Sequence, residues 1–289
     1  MKSEPLEDSF TDILNKAQRG LKVSSNALPI LPARPDALLK EPSAKKDREW
    51  SEEMFSLRKP GSRAGTLHES DLRTLAVALH LEPDRLLAIS RGDYQPQAGL
   101  LPKEFVRFQT DFDGMSVNSY LVWDSTTRQA MAFDTGADAS ELLDDLTTNH
   151  LRLELLLLTH SHGDHIFDLD RIVEKTGATP WIAENLSGAH VFTPGKTFSL
   201  GGLKVETRLT NGHSSAGITY VIHGLSRCVA VVGDALFAGS IGGAHISYPD
   251  ALHTCTSEIL SLPDDTLLCP GHGPLTTVGQ EKSSNPFFP

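Results

Sequence analysis

Between residues 155 and 165 the chain passes from Leu155-Leu156-Leu157-Leu158 straight into Thr159-His160-Ser161-His162-Gly163-Asp164-His165. A continuous apolar run that stops in a polar cluster predicts a fully buried strand whose C-terminal end enters a site. Before it, Phe105 to Phe112, Val117 to Trp123 and Ala130 to Phe133 predict consecutive strands, with Asp113-Gly114 and Asp124-Ser125 as turn signals. Ala139 to Leu146 reads as a helix with Asp138 as its N-cap, and Ile166 to Glu174 as a helix leaving the polar cluster. Trp181 to Ala183, Leu203 to Leu209, Ile218 to Ile222 and Cys228 to Val232 predict further strands, then a helix from Asp250 to Leu260 and a short strand at Leu267 to Cys269. Strands, helix, strands, helix is the order of an α+β protein built as a two-layered β sandwich flanked by helices.

The first hundred residues pattern differently. Residues 1–66 are rich in Pro, Ser, Lys and Glu with only short apolar patches, which predicts an extended or mobile arm able to dock on the main domain. From Ser70, an expected N-cap, Leu72, Leu75, Ala76 and Leu79 fall at helical spacing; Pro83 then opens a second helix carrying Leu86, Leu87 and Ile89 to Gly92. The division is therefore an arm over 1–66, a small helical hairpin over 67–99 and the main domain over 103–289. Asp71 to Ile89 resembles part of a phage-repressor-type helix-turn-helix, but the second helix is not a basic recognition helix. Packing on the main domain, or service in a homodimer, is the leading reading, with DNA contact through 70–92 as its rival.

Composition narrows the partners. A length of 289 residues, 39% hydrophobic and 22% charged, is ordinary for a soluble globular chain. A net charge of -11 argues against a general nucleic-acid or anionic-membrane surface, since phosphate binding needs clustered Lys and Arg. A small-molecule substrate is the expected partner. Cys228, Cys255 and Cys269 are too scattered for a disulfide framework, the N-terminus does not read as a secretory signal, and the apolar runs fall short of a membrane span. A cytoplasmic location is the expectation.

Three histidines and an aspartate within six residues are a donor set for zinc, iron or manganese. In an extended segment residues two apart point to the same side, so His160 and His162 can chelate one ion. Gly163 lets the chain turn, so Asp164 and His165 aim elsewhere and suggest a second ion beside the first.

The pattern His-x-His-x-Asp-His after a buried strand resembles the metallo-β-lactamase superfamily, and Gly233-Asp234-Ala235-Leu236-Phe237 is similar to that family's Gly-Asp-x-Leu-Phe segment. The resemblance runs over about 110–289 and implies a four-layer αββα sandwich with a hydrolytic metal site at its edge. It assigns His160, His162 and His213 to a first ion and Asp164, His165 and His272 to a second, with Asp234 and a water shared. Two divalent ions are implied, zinc first, with iron or manganese as alternatives. Asp134, in Phe133-Asp134-Thr135-Gly136, is the candidate outer partner for an imidazole. His68, His80, His150, His190, His223, His245 and His253 match no ligand position.

Within the family, Asp234 and the stretch from Gly271 to Thr277, followed by Lys282 and Asn285-Pro286-Phe287, resemble the short hydroxyacylglutathione hydrolase-like (glyoxalase II-like) branch. That likeness implies thioester hydrolysis, with a metal-bridging hydroxide attacking the carbonyl and Asp164 and Asp234 as the catalytic carboxylates. A lactonase or other esterase, a mononuclear-iron persulfide dioxygenase, and a ligand-sensing regulator with a DNA-binding N-terminus remain the alternatives. One departure matters: many relatives carry an arginine after Ser-Ile-Gly, where this chain has Ser240-Ile241-Gly242-Gly243-Ala244-His245. Lys282 is the candidate replacement charge.

Overall fold

Alternation along the strands decides the layers. In the computed structural model, which describes residues 6, 10–22 and 69–289, β1 (Phe105–Phe112), β2 (Met115–Trp123), β3 (Gln129–Phe133), β4 (Arg152–Leu157), β5 (Thr179–Ile182) and β6 (His190–Val191) form one sheet in chain order. The second sheet is built from β7 (Thr197–Leu200), β8 (Leu203–Leu209), β9 (Ile218–His223), β10 (Val229–Gly233), β13 (Leu267–Pro270) and β14 (Thr276–Thr277), in the order β14-β13-β10-β9-β8-β7. Between β10 and β13 in sequence, β11 (Leu236–Phe237) and β12 (Ser240–Ile241) make a small separate hairpin.

Because successive strand residues face opposite ways, each sheet has two buried faces. Met131, Phe133 and Leu157 of the first sheet meet Val205, Tyr220, Val229 and Val231 of the second in the central layer. The neighbouring residues Ala130, Ala132 and Leu156 turn outward onto α4 (Ser140–Thr148) and α6 (Leu169–Thr176) through Leu142, Leu146 and Ile172. On the far side, Val221, Ala230, Val232 and Leu268 pack against the remaining helices. The architecture is a four-layer αββα sandwich, as the pattern of elements implied.

The outer layer on that far side contains α1 (Phe10–Leu21), α2 (Glu69–Ala78), α3 (Pro83–Arg91), α7 (Tyr248–Thr254) and α8 (Val278–Ser284). The helix at Phe10–Leu21 corrects the expectation of an extended or mobile arm for that stretch; the rest of 1–66, apart from residues 6 and 22, lies outside the described residues. A helix of 12 residues is marginal alone. Burial holds it: Ile13, Leu14 and Ala17 are fully covered, each of the larger two worth roughly 1.5–3 kcal/mol.

The helical hairpin lies where the spacing placed it, although Ser70 sits inside the first turn of α2 rather than capping it. Glu82 caps α3 by accepting from the Arg85 amide at 2.7 Å, and Gly92 closes it in the left-handed conformation. Leu72, Leu75, Leu79, Leu86 and Leu87 share one apolar cluster with strand residues of the second sheet. The break expected near residue 100 is thus one of sequence pattern, not of packing. Tyr94 Oη donates to the buried Glu281 carboxylate at 2.5 Å, the Glu82 amide donates to Pro286 O at 2.8 Å, and Arg85 reaches the Asn285 and Phe288 carbonyls. These contacts fasten the hairpin to α8 and the residues after it.

Two predicted helices are interrupted. Ile166 to Glu174 divides into α5 (Gly163–Ile166) and α6 because Asp168 is drawn out of line: its amide donates to Thr135 Oγ1 and its carboxylate accepts from the Ala139 amide. α4 starts one residue later than expected, so its N-cap is Ala139 and not Asp138, whose carboxylate accepts from the Ser140 amide from the position before the cap. Residues 250–260 form the C-terminal part of α7 and then a π-helical turn at Cys255–Ile259. Among the described residues, no helix is long and apolar enough to cross a membrane.

Candidate metal centre

Four strand ends converge on one rim of the sandwich. β4 delivers Thr159 to His165, the β8–β9 connection carries His213, Asp234 follows β10, and His272 follows β13. All seven predicted donors meet there. His160 Nε2 lies 3.0 Å from His162 Nδ1, and His213 Nε2 lies 2.9 Å from that same nitrogen. Asp164 Oδ2 is 3.4 Å from His165 Nε2 and 3.2 Å from His272 Nε2. Asp234 spans the two groups, with Oδ1 3.2 Å from His165 Nε2 and Oδ2 3.4 Å from both His213 Nε2 and His272 Nε2.

The outer hydrogen bonds fix which imidazole nitrogens face inward. His213 Nδ1 donates to Gly243 O at 2.7 Å and His272 Nδ1 to Ser116 O at 2.8 Å. Asp134 serves two ligands at once: Oδ2 accepts from His165 Nδ1 at 2.9 Å and from Thr159 Oγ1 at 2.8 Å. With its proton given to Asp134, Thr159 Oγ1 is free to accept from His160 Nδ1 at 3.0 Å. Asp134 is buried and adopts a left-handed backbone with φ of 58°, a conformation open to aspartate at a modest cost. Each of these four imidazoles thereby turns Nε2 inward, toward the others.

Lone pairs crowded to about 3 Å repel unless a proton or cation lies among them. His165 Nε2 and Asp234 Oδ1 are buried and make no hydrogen bond among the described residues, a pairing that costs free energy until something fills the gap. Burial and the neighbouring imidazoles hold His160 well below the ordinary histidine range, and burial takes His213 down to about 4. Burial also disfavours a charged His272, but Asp164 and Asp234 outweigh it and bring that group up to about 10. Burial opposes ionisation of Asp234, yet His165 and His272 hold its carboxyl well below the usual carboxylate range. Burial works against a charged His165 too, yet Asp234 and Asp134 hold that group well above the ordinary histidine range. A divalent cation among the ionised carboxylates would displace the protons on His165 and His272 and so find a donor set of neutral imidazoles and carboxylates.

Several residues that support the site gave no readable sequence signal. Glu184 accepts from the Ser161 and Ala216 amides at 3.0 and 3.2 Å, tying the β4 loop to the His213 loop. His245 is in none of the donor groups, but its ring lies 5.3 Å from that of His213. Lys282, expected as a replacement charge, is paired with Asp264 at 2.6 Å. Asp134→Asn, which removes one acceptor from the His165 and Thr159 network, is expected to weaken metal binding about 10–100-fold. Competition against a chromogenic chelator measures that loss directly.

An αββα sandwich with a His/Asp cluster at the strand ends defines a metallohydrolase-type centre. The metallo-β-lactamase superfamily model matches residues 112–272, and the chain belongs to that superfamily. It is 31% identical over 199 residues to a probable metallo-hydrolase of Streptococcus pyogenes, covering 58% of this chain and 84% of the relative. To the hydroxyacylglutathione hydrolase GloC of Haemophilus influenzae it is 30% identical over 198 residues, covering 59% and 92%. Among solved structures, ETHE1 from Myxococcus xanthus superposes with a TM-score of 0.56 at 28% identity, over 63% of this chain and 83% of that one. The family match begins at residue 112, so α1, α2 and α3 lie outside it.

Proposed function

We propose that this protein is a two-metal hydrolase, with zinc as the first candidate, acting on a thioester such as a hydroxyacylglutathione. The observation that carries the reading is Asp234, a buried carboxylate whose two oxygens reach both the His213 side and the His165/His272 side of the donor cluster. The relative named hydroxyacylglutathione hydrolase supports the choice of thioester. His160, His162 and His213 would hold one ion and Asp164, His165 and His272 the other, with Asp234 between them. Divalent ions at such a site supply an activated water and polarise the scissile carbonyl.

The chain's own contribution is positional. Asp134, Gly243 O and Ser116 O hold the ligand rings in fixed tautomers, so little reorganisation is left for the reaction. Asp164 stays ionised because His272 and His165 outweigh the cost of its burial. A leaving thiolate needs no strong general acid. Elemental analysis of protein purified without chelators, together with rates on a glutathione thioester, a homoserine lactone, a β-lactam and glutathione persulfide with oxygen uptake, tests the assignment. About two metals per chain and a clear preference for the thioester are expected; one iron with oxygen uptake would move the reading to the dioxygenase.

Nucleic acid has no part in this proposal. Two of the basic side chains on the helical hairpin are matched to acids, Arg73 to Asp84 at 2.5 Å and Arg91 to Glu69, while Arg85 is turned toward the Asn285 and Phe288 carbonyls. We propose that the hairpin braces the second sheet. Salt-dependent DNA binding lost on removing residues 1–100 would reverse that view.

The departure at Gly243 is also testable. A Cβ there would lie 2.8 Å from His245 Nε2, so an arginine has to turn that ring aside. Gly243→Arg is expected to lower KM for S-lactoylglutathione with kcat retained, the pattern of added ground-state recognition. Because Gly243 O accepts from His213 Nδ1, altered metal retention would show instead that the position acts through the ligand.

A further inference from the structure

A buried carboxylate that the proposed reaction does not use grips the turn between β11 and β12. Glu281, on α8, is fully buried. Its Oε2 accepts from the Gly239 amide at 3.0 Å and from Asn285 Nδ2 at 2.9 Å, and its Oε1 from Tyr94 Oη at 2.5 Å and Thr276 Oγ1 at 2.7 Å. Four donors thus fill the lone-pair sites of one carboxylate. The equally buried Asn285 also donates from Nδ2 to Ser240 O at 2.8 Å, so consecutive residues of the turn are held. Well-packed apolar side chains often stabilise a fold as well as a buried ionic network does. What the network adds is one fixed position for the turn.

The turn leads to the metal centre in both directions. On the β11 side, the Phe237 ring stands edge-on to His272, with centroids 5.6 Å apart. On the β12 side, the chain runs from Ser240 to Gly243, whose carbonyl accepts from His213 Nδ1 at 2.7 Å. No slack lies between them: a Cβ at Gly242 would be 1.7 Å from Asp234 O and 3.2 Å from His213 Nδ1. Backbone packed this closely passes a shift at Ser240 on to the His213 ring. The outer side of the turn is seated just as tightly. Gly239 has a φ of 74°, and an added Cβ would meet Tyr94 Cε1 at 3.0 Å and Ile89 Cδ1 at 3.1 Å. The seat is therefore made by α3 and the residues after it, which lie outside the family match.

We infer that Glu281 is a positioning residue for the metal centre: through the β11–β12 turn it sets Gly243 O against His213 and Phe237 against His272, and Tyr94 makes that setting depend on the N-terminal hairpin. This role rests on the metal centre of the proposed function, not on its substrate. Glu281 acts through the turn and not as a ligand.

The test compares three full-length, metal-loaded variants. Glu281→Ala removes the grip. Glu281→Gln keeps an oxygen for Gly239 and Asn285 and turns an amide toward the Tyr94 and Thr276 hydroxyls, which can rotate to accept from it. Tyr94→Phe removes only the hydroxyl. In competition with a chromogenic chelator, Glu281→Ala is expected to weaken zinc binding about ten-fold, the low end for outer partners of metal ligands. Tyr94→Phe should weaken it less, and Glu281→Gln should stay near wild type. By NMR of protein carrying nitrogen-labelled histidine, the His213 Nδ1 proton should shift in Glu281→Ala while the His165 Nδ1 proton, held by Asp134, stays in place. A merely structural loss would move both or neither. Wild-type zinc affinity in Glu281→Ala, or equal shifts of the two protons, would overturn the inference while leaving the metal centre standing. Should Glu281→Ala not fold, Tyr94→Phe decides: a looser site with a shift confined to His213 supports the role, and wild-type values reject it. If the wild-type chain binds no metal, the proposed function fails instead. The same two protons in the metal-free chain then decide for Glu281, since a shift of His213 alone supports the coupling and any other pattern rejects it.

Discussion

Asp234→Ala is expected to cost the protein about one metal per chain and at least 10²–10³-fold in turnover, the scale for removing one well-placed electrostatic group. The carboxylate is 7% exposed and stands within 3.4 Å of His165, His213 and His272. Alanine leaves His165 Nε2, already without a hydrogen bond among the described residues, facing a void. The fold itself should survive, because the side chain sits at the rim and the central apolar layer does not depend on it. Elemental analysis alongside circular dichroism separates the outcomes: a native spectrum with one metal fits, whereas unchanged metal content removes Asp234 from the ligand set.

Gly271→Ala is expected to be as damaging, through space alone. A Cβ at Gly271 would lie 2.2 Å from Asp234 Oδ1 and 2.6 Å from His165 Cε1, distances that real atoms do not tolerate. Neither neighbour can retreat freely. His165 is fully buried and anchored by Asp134, and the Gly271 amide is itself fixed, donating to Gly233 O at 2.9 Å. Overpacking of this kind costs about 1–3 kcal/mol, and here it falls on two donors. Metal content near zero, with a lowered melting temperature that added zinc does not restore, is the expected result. Normal metal loading would mean that the loop after β13 is softer than its contacts imply.

What the residues announced in advance was the part governed by local rules. The leucine run of β4, the histidine cluster after it, and Asp234 closing an apolar strand beside a glycine are each visible within a few positions. The missing parts depend on distant partners. Strands of two residues, such as β6, β11, β12 and β14, are too short to show a period. The interruption at Asp168 is decided by Thr135 and Ala139, some 30 positions away in the chain. The helix at Phe10–Leu21 is a different case: Ile13, Leu14 and Ala17 do fall on one helical face, but the proline- and serine-rich composition around them hid a short periodic stretch. Asp134 was readable as an outer partner for an imidazole; that it would hold His160 through Thr159 was not.

The bond from Tyr94 to Glu281 joins positions 187 residues apart. During synthesis at about 5–20 residues per second, α2 and α3 wait roughly 10–40 s for the segment that anchors them. For most of that interval Leu72, Leu75, Leu79, Leu86 and Leu87 have none of their eventual partners from β10, β13 or α8. The helices made early are therefore among the last to be placed, and the nascent chain presents a greasy surface that a ribosome-associated chaperone would be expected to cover.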